Sequence, residues 1–142
     1  MGSRGQVLKK GGFKRYDYHT IMRYNNIRFV IQNKGKNVKV PEMSNSPWAV
    51  YVTLDSNGNI KTVSFYNGSR KQYKAIDIAD HHGLNPHVHT LNVKTSLRDD
   101  DIVPVRSINN YEKARLDKIK DFYKRHNLHD ISKNYYEEAN KK

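Results

Sequence analysis

The sequence predicts an α+β domain, with a four- to five-stranded antiparallel sheet built as a meander and a C-terminal helix packed across one face. Three observations predict this class. Apolar and polar residues alternate in successive short segments between residues 26 and 93. Short turns rich in glycine and asparagine separate several of these segments. Apolar residues at helical spacing become clear only after residue 109.

The first predicted strand is NIRFVIQN at residues 26–33, and it is rich in β-branched and aromatic residues. Ile27, Phe29 and Ile31 share one face, because alternate side chains of a strand point the same way. The preceding segment, FKRYDYHTIMRY at residues 13–24, fits either a short helix or an irregular strand.

The clearest structural pattern is a β-hairpin at residues 48–66, where two apolar segments flank the turn DSNGN. Its Asn57-Gly58 pair suits a turn with positive φ. A further turn leads to a third strand at residues 71–78, and a fourth follows at residues 86–93. Three consecutive strands joined by short turns predict antiparallel pairing.

Residues 109–126 are predicted to form a helix that begins with a capping box at Asn109 and Glu112. Its apolar stripe indicates contact with the sheet and consists of Leu116, Ile119, Phe122 and Tyr123. A chain of 142 residues fits one domain. We divide it into a flexible basic arm (1–12), a single α+β domain (13–128) and a short C-terminal helix or tail (129–142).

The composition indicates a polyanionic partner. Lysine and arginine number 26 against 14 acidic residues, so the net charge is +12. Nucleic acid, RNA or DNA, is the commonest partner of so basic a protein, and an anionic membrane surface or a merely solvated surface are the alternatives. The basic residues that we expect to contact nucleic acid are Arg70, Lys71, Lys74, Lys34 and Lys36.

Several classes of protein and site are excluded. The chain has no cysteine, which excludes disulfides, thiolate catalysis and cysteine-based zinc sites. No apolar run approaches the roughly 18 residues of a membrane span, and the N-terminus has no hydrophobic signal region.

Proton-transfer and metal-binding side chains are concentrated at residues 76–89. Four of the seven histidines fall within nine residues there, and two aspartates precede them. If the fourth strand is extended, His87 and His89 project from one face. Gly83 permits a reversal that brings His82 or His81 opposite them, and Asp77 or Asp80 can supply a carboxylate.

Three interpretations of this cluster stay open. In the first, His82, His87 and His89 are acid and base of a metal-independent nuclease, with Asp77 orienting an imidazole. In the second, the same histidines bind a divalent metal such as zinc together with Asp80. In the third, the histidines are polar residues of a turn with no special role, and no cofactor is bound.

The segment KAIDIADHHGLNPHVH at residues 74–89 resembles a motif in C-terminal modules of bacterial polymorphic toxins and in modules that follow phage head-morphogenesis proteins. In those modules an Ile-Asp pair ends a strand, and a His-Gly turn leads into Pro-His-x-His. The resemblance covers residues 3–91, through a Ser-Arg-Gly arm, the NIRFV strand and a Val-Tyr-Val-Thr hairpin. Many such modules are grouped with the barnase, EndoU, colicin and RelE nucleases, which are α+β.

The resemblance implies an RNA-cleaving toxin domain or its phage relative, with His82, His87, His89 and Asp77 as the site. We therefore expect a ribonuclease that is cytoplasmic, or delivered as part of a larger secreted or phage protein. In a toxin, an acidic immunity protein would be a natural partner of a chain with a charge of +12. The alternative is a non-catalytic phage or mobile-element module that binds nucleic acid, with structural or zinc-binding histidines.

Overall fold

The computed structural model describes residues 18–33, 38–78, 86–93, 97–98 and 104–139. Within these ranges the chain forms eight strands followed by two helices. The strands are β1 (Tyr18–Tyr24), β2 (Ile27–Gln32), β3 (Val50–Leu54), β4 (Ile60–Tyr66), β5 (Gln72–Asp77), β6 (His87–Asn92), β7 (Leu97–Arg98) and β8 (Arg106–Ser107). The helices are α1 (Asn110–Arg125) and α2 (Leu128–Ala139).

The described strands form one mixed sheet in which β1 to β7 are neighbours in chain order, and β8 pairs with β6. The pair β2–β3 is parallel, and the other pairs are antiparallel. Parallel neighbours start at the same end of a sheet, so the segment between β2 and β3 must return along the sheet before β3 begins.

The predicted α+β class is confirmed, but the predicted sheet is wrong in two respects. It has more than four to five strands, because β1 is a strand, and β7 and β8 are two-residue strands too short to carry a periodic pattern. It is also mixed and not purely antiparallel, because alternation along β2 and β3 reports which face is buried and says nothing of strand direction.

One face of the sheet carries the main apolar core. A row of directly opposed residues crosses β2 to β6 and consists of Phe29, Val52, Val63, Ile76 and Val88. All five are buried, and they pack in one cluster with the predicted helical residues Leu116, Ile119 and Phe122. Burial of each such side chain stabilises the fold by roughly 1.5–3 kcal/mol, so this face holds the helices to the sheet.

The residues adjacent to these five in their strands form a second row, on the opposite face of the sheet. This row consists of Val30, Thr53, Thr62, Asp77 and His87. Four of the five are polar, and Thr53, Thr62 and His87 are nevertheless buried. Side-chain alternation therefore places a polar row directly behind an apolar one.

A tyrosine cluster on this second face holds residues 38–49, which lead into β3. The hydroxyl groups of Tyr18 and Tyr66 donate to backbone carbonyls of that segment. The hydroxyl of Tyr51 accepts from the backbone N–H of Asn45 at 2.9 Å. The connection between the parallel strands is thereby attached to the sheet by buried side chains.

Helix α1 begins as its sequence predicts, and α2 is attached to the sheet by a buried tyrosine. The capping box is present, since the Asn109 side chain accepts from Glu112 N at 2.8 Å and Glu112 Oε1 accepts from Asn109 N at 3.0 Å. On α2, the Tyr136 hydroxyl donates to Leu54 O at 2.7 Å and accepts from Gln32 N at 2.8 Å. Neither described helix is long and apolar enough to cross a membrane.

Candidate functional site

Two neighbouring strands bring together three of the residues that the sequence singles out. Asp77 ends β5, His87 begins β6, and the two residues are directly opposed in the antiparallel ladder. His89 lies two residues further along β6, opposite Ala75, and so projects from the same face. The expectation that His87 and His89 share a face with Asp77 is confirmed by their contacts.

The three side chains, hereafter the triad, meet at one carboxylate oxygen. Asp77 Oδ2 lies 3.5 Å from His87 Nε2 and 3.3 Å from His89 Nε2. The two imidazole rings meet edge to face at an interplanar angle of 78°, and their centroids are 4.8 Å apart. The other carboxylate oxygen, Oδ1, accepts a hydrogen bond from Thr62 Oγ1 at 2.9 Å. Thr62 thus fixes the rotation of the carboxylate that faces both histidines.

The triad is largely removed from solvent. His87 and His89 are each 3% exposed, and the Asp77 side chain is 14% exposed. Electrostatic interactions are stronger in such surroundings than at a hydrated surface. The contacts between Asp77 and the two imidazoles are therefore screened less by water than those of an exposed pair.

The sheet beside the triad is polar across several strands. Thr62 lies directly opposite Asp77, and Thr53 lies directly opposite Thr62 on the next strand. Ser64 lies opposite Ala75, which in turn lies opposite His89. The two threonines and Ser64 are buried. Of these hydroxyl groups, that of Thr62 contacts the triad directly, through its hydrogen bond to Asp77.

The triad has the donor set of a divalent transition-metal site. One nitrogen or oxygen from each residue lies within 4.8 Å of the other two. Zinc bonds to histidine and carboxylate ligands are roughly 2.0–2.2 Å long, which in a tetrahedral site separates two ligand atoms by about 3.4 Å. Two of the separations, from Asp77 Oδ2 to the two Nε2 atoms at 3.3 and 3.5 Å, are close to that value, whereas the set as a whole spans up to 4.8 Å. The three residues could hold such an ion.

Several predicted site residues lie outside the described residues. They are His82 and Asp80 of the histidine segment, and Lys34 and Lys36 in the sequence that follows β2. Their predicted roles stay predictions. The arm at residues 1–12 also lies outside the described ranges.

The remaining predicted basic residues are not placed beside the triad. Arg70 and Lys71 precede β5, whereas Asp77 ends it, and six residues of a strand span about 20 Å. Lys71 forms an isolated β-bridge with Met43. Lys74 lies on the helix side, where its Nζ is 3.0 Å from Glu112 Oε2 and 4.5 Å from the centre of the Phe65 ring.

Glu112 is the centre of a separate ion-pair cluster. Arg106 donates to both of its carboxylate oxygens at 2.8 Å, and Lys74 donates to one of them at 3.0 Å. The hydrogen bonds from Arg106 lower the pKa of Glu112 to about 2, helped by the Asn109 backbone N–H and by Lys74, although burial acts in the opposite direction. This geometry assigns Lys74 a structural partner.

Sequence reasoning missed Thr62. Its signal was present in the segment NIKTVSFY, because Thr62 alternates with Val63 and therefore lies on the face opposite the apolar core. Identifying it as a partner of Asp77 required the pairing register of β4 and β5, which places the two residues directly opposite.

The comparisons with known proteins give no relative from which a role could be transferred. No family model matches the chain, and neither a curated protein nor a solved structure matches it.

Proposed function

We propose that the chain is a ribonuclease in which His87 and His89 act as general acid and general base. Asp77 orients the two imidazoles and stabilises the one that is protonated. The observation that carries this proposal is the meeting of two buried imidazoles at one oxygen of Asp77. Histidine changes its protonation near neutral pH, so a carboxylate-linked histidine pair suits proton transfer.

In the proposed reaction, one neutral histidine takes the proton of the ribose 2′-hydroxyl as that oxygen attacks the adjacent phosphorus. The second histidine, as the imidazolium, gives a proton to the departing 5′-oxygen as the phosphorus–oxygen bond breaks. The products are a 2′,3′-cyclic phosphate and a 5′-hydroxyl, and the two histidines exchange protonation states. Asp77 stabilises whichever ring is charged, and Thr62 holds Asp77 in place.

Charge and resemblance support RNA as the substrate. A net charge of +12 attracts a polyanion, and residues 74–89 resemble toxin and phage modules grouped with RNA-cleaving enzymes. Arg70 and Lys71 are proposed backbone contacts, and an acidic immunity protein is the proposed partner in a toxin setting. We further propose that the chain acts in the cytoplasm, or is delivered as part of a larger secreted or phage protein.

A second candidate is a non-catalytic module that binds nucleic acid and holds zinc at the triad. Two observations favour it: the spacing of the ligand atoms, and the 3% exposure of both histidines, which restricts access to a large substrate. A metal at the triad could equally serve hydrolysis by activating water in an open coordination position. The experiment must therefore separate three outcomes.

The test is cleavage of labelled transfer RNA, single-stranded RNA and double-stranded DNA, in EDTA and with added zinc, magnesium or manganese. His87→Ala and His89→Ala are compared with His129→Ala. His129 is the matched control, because it also lies beside an aspartate, at 3.0 Å from Asp130, but is 44% exposed and sits on α2. Metal content is measured on the same preparations.

Cleavage of RNA in EDTA that is lost in His87→Ala and kept in His129→Ala supports the acid–base proposal. Cleavage that needs added metal and is lost in the same variants makes the triad a catalytic metal site. Bound zinc without cleavage, together with salt-sensitive nucleic-acid binding, supports the second candidate. Cleavage that survives both triad substitutions overturns the proposed site.

A further inference from the structure

A second surface, separate from the triad, combines exposed aromatic rings with a cation. It surrounds a cavity of about 160 Å³ near the start of β3 and the first turns of α1. That volume is several times the roughly 30 Å³ occupied by a water molecule. Among the residues that line the cavity are Trp48, Tyr111, Arg115 and Phe65. We call this the Trp48 surface.

The two aromatic residues at its rim are unusually accessible. Trp48 is 63% exposed and Tyr111 is 64% exposed, more than any other large apolar or aromatic side chain among the described residues. Neither ring is needed to fill the core. Flat, exposed aromatic rings are the groups on which unpaired bases stack, because every base presents a π-face.

Trp48 is also held firmly. Its backbone φ is 59°, a left-handed conformation that bulky residues rarely adopt. Its N–H donates to Asn67 O at 3.1 Å, and its carbonyl accepts from Asn26 Nδ2 at 3.0 Å. The indole packs so closely on Gly68 that a Cβ there would lie 3.1 Å from the ring. A ring fixed in this way loses little further freedom when a ligand stacks on it.

Arg115 supplies the charge. Its guanidinium lies 5.8 Å from the centre of the Tyr111 ring and 5.7 Å from that of Phe65, and its Nη1 donates to the Tyr111 hydroxyl at 3.1 Å. Within the described part of the chain, no carboxylate pairs with Arg115, and its buried Nε has no hydrogen-bond partner. The Arg115 guanidinium therefore keeps its charge for an anionic or acceptor group that contacts its Nη atoms at the cavity.

We propose that the Trp48 surface binds an unpaired base of single-stranded nucleic acid. The base stacks on Trp48 and Tyr111, and Arg115 donates to a base or phosphate oxygen. This inference goes beyond the proposed ribonuclease and does not depend on cleavage. No residue of the triad lines this cavity, and Tyr73 and Lys74, which do line it, lie near the start of β5 whereas Asp77 ends that strand, so the Trp48 surface and the triad are different sites.

The experiment exploits the fact that Trp48 is the only tryptophan of the chain. Its fluorescence is measured during titration with a short single-stranded oligothymidylate, which has no 2′-hydroxyl and cannot undergo the proposed cleavage. An abasic oligonucleotide of equal length gives the effect of backbone charge alone, and a blunt duplex offers no unpaired base. Binding is followed in parallel by anisotropy of labelled oligonucleotide.

We expect saturable quenching of Trp48 by the oligothymidylate and much weaker quenching by the abasic strand and the duplex. Tyr111→Leu and Arg115→Gln should each weaken binding roughly tenfold, since loss of one stacking partner has an effect of that order. Tyr135→Leu is the matched control, an exposed tyrosine on α2, and should bind normally. Circular dichroism establishes that each variant is folded.

The proposal is overturned if anisotropy detects binding while Trp48 fluorescence stays unchanged, because the strand then binds elsewhere. Equal affinity for the abasic strand, or unchanged affinity in folded Tyr111→Leu, overturns it as well. Absence of any binding, as expected if this surface serves a protein partner, does the same. None of these outcomes alters the cleavage test, so the two proposals fail independently.

Discussion

Asp77 lies on one face of the sheet and Glu112 packs against the other, and each carboxylate contacts two basic side chains. Glu112 accepts short hydrogen bonds of 2.8–3.0 Å from Arg106 and Lys74. Asp77 meets two histidines at 3.3 and 3.5 Å. Arginine and lysine stay charged at neutral pH, whereas histidine can gain and lose a proton.

The difference indicates what each cluster is suited to do. Permanent cations at short distance make the Glu112 cluster a fixed connection between α1 and the sheet. In the proposed function, titratable partners at slightly longer distance let the Asp77 cluster exchange protons or hold a metal ion. Substitutions that change only the free energy of unfolding, or only the rate of RNA cleavage, test this distinction.

The largest expected effect is that of Asp77→Asn on RNA cleavage. Loss of the carboxylate removes the charge that stabilises the imidazolium, and we expect the rate to fall by about 10²–10⁴-fold, the usual contribution of acid–base catalysis. Initial rates under single-turnover conditions measure it. Urea unfolding of the same variant should change by no more than about 1 kcal/mol, and a normal rate would contradict the assignment of Asp77.

Glu112→Gln should show the opposite pattern. It removes charge-assisted hydrogen bonds to Arg106 and Lys74, so we expect the free energy of unfolding to fall by about 2 kcal/mol. Cleavage per folded molecule should stay normal, because Glu112 packs on the helix side. Urea unfolding, with cleavage measured at a temperature where both proteins are folded, gives both quantities. A large loss of activity without loss of stability would mean that the roles are reversed.

The contribution of Glu112 to stability should depend on pH, because its pKa in the folded protein is about 2 and its usual value is 4.5. A carboxyl group with a lowered pKa in the folded state stabilises the protein fully above its unfolded pKa, and that contribution is lost as pH falls through the folded pKa. The stability difference between the parent protein and Glu112→Gln should therefore shrink between pH 4.5 and pH 2. Urea unfolding at several pH values measures it, and a difference that stays constant would contradict the cause given for the pKa.

The smallest expected effect is that of Thr62→Val. It removes one hydrogen bond to Asp77, worth about 1 kcal/mol, and so we expect cleavage to slow by about fivefold. Thr53→Val is the matched control, because Thr53 lies directly opposite Thr62 and its buried hydroxyl has no hydrogen-bond partner among the described residues. Equal effects of both substitutions would show that Thr62 acts through packing alone.

Local patterns account for what the sequence could predict. Alternation along residues 86–93 placed His87 and His89 on one face, and a short-range motif placed the capping box at Asn109. Non-local pairings account for the rest. Lys74 and Glu112 are 38 positions apart, so their ion pair depends on how α1 crosses the sheet, which no local pattern reports.

The parallel pairing of β2 with β3 was missed for the same physical reason. Antiparallel neighbours are joined by short turns whose residues are visible in the sequence, such as Asn57-Gly58. A parallel pair needs a longer connection, and the segment between β2 and β3 carries no periodic signal of its own. The residues of β2 and β3 therefore predicted which side chains are buried, but not that the two strands run in the same direction.

That parallel pair has a consequence for how the chain folds. The hairpin β1–β2 and the strands from β3 onward can each form by local closure, but joining them requires the ends of a long loop to meet, which slows folding. The Tyr136 hydroxyl on α2 hydrogen-bonds to Gln32 of β2 and to Leu54 of β3. During synthesis on the ribosome, α2 emerges after the described strands, so the hydrogen bonds of Tyr136 to Gln32 and Leu54 form only after those strands have been made.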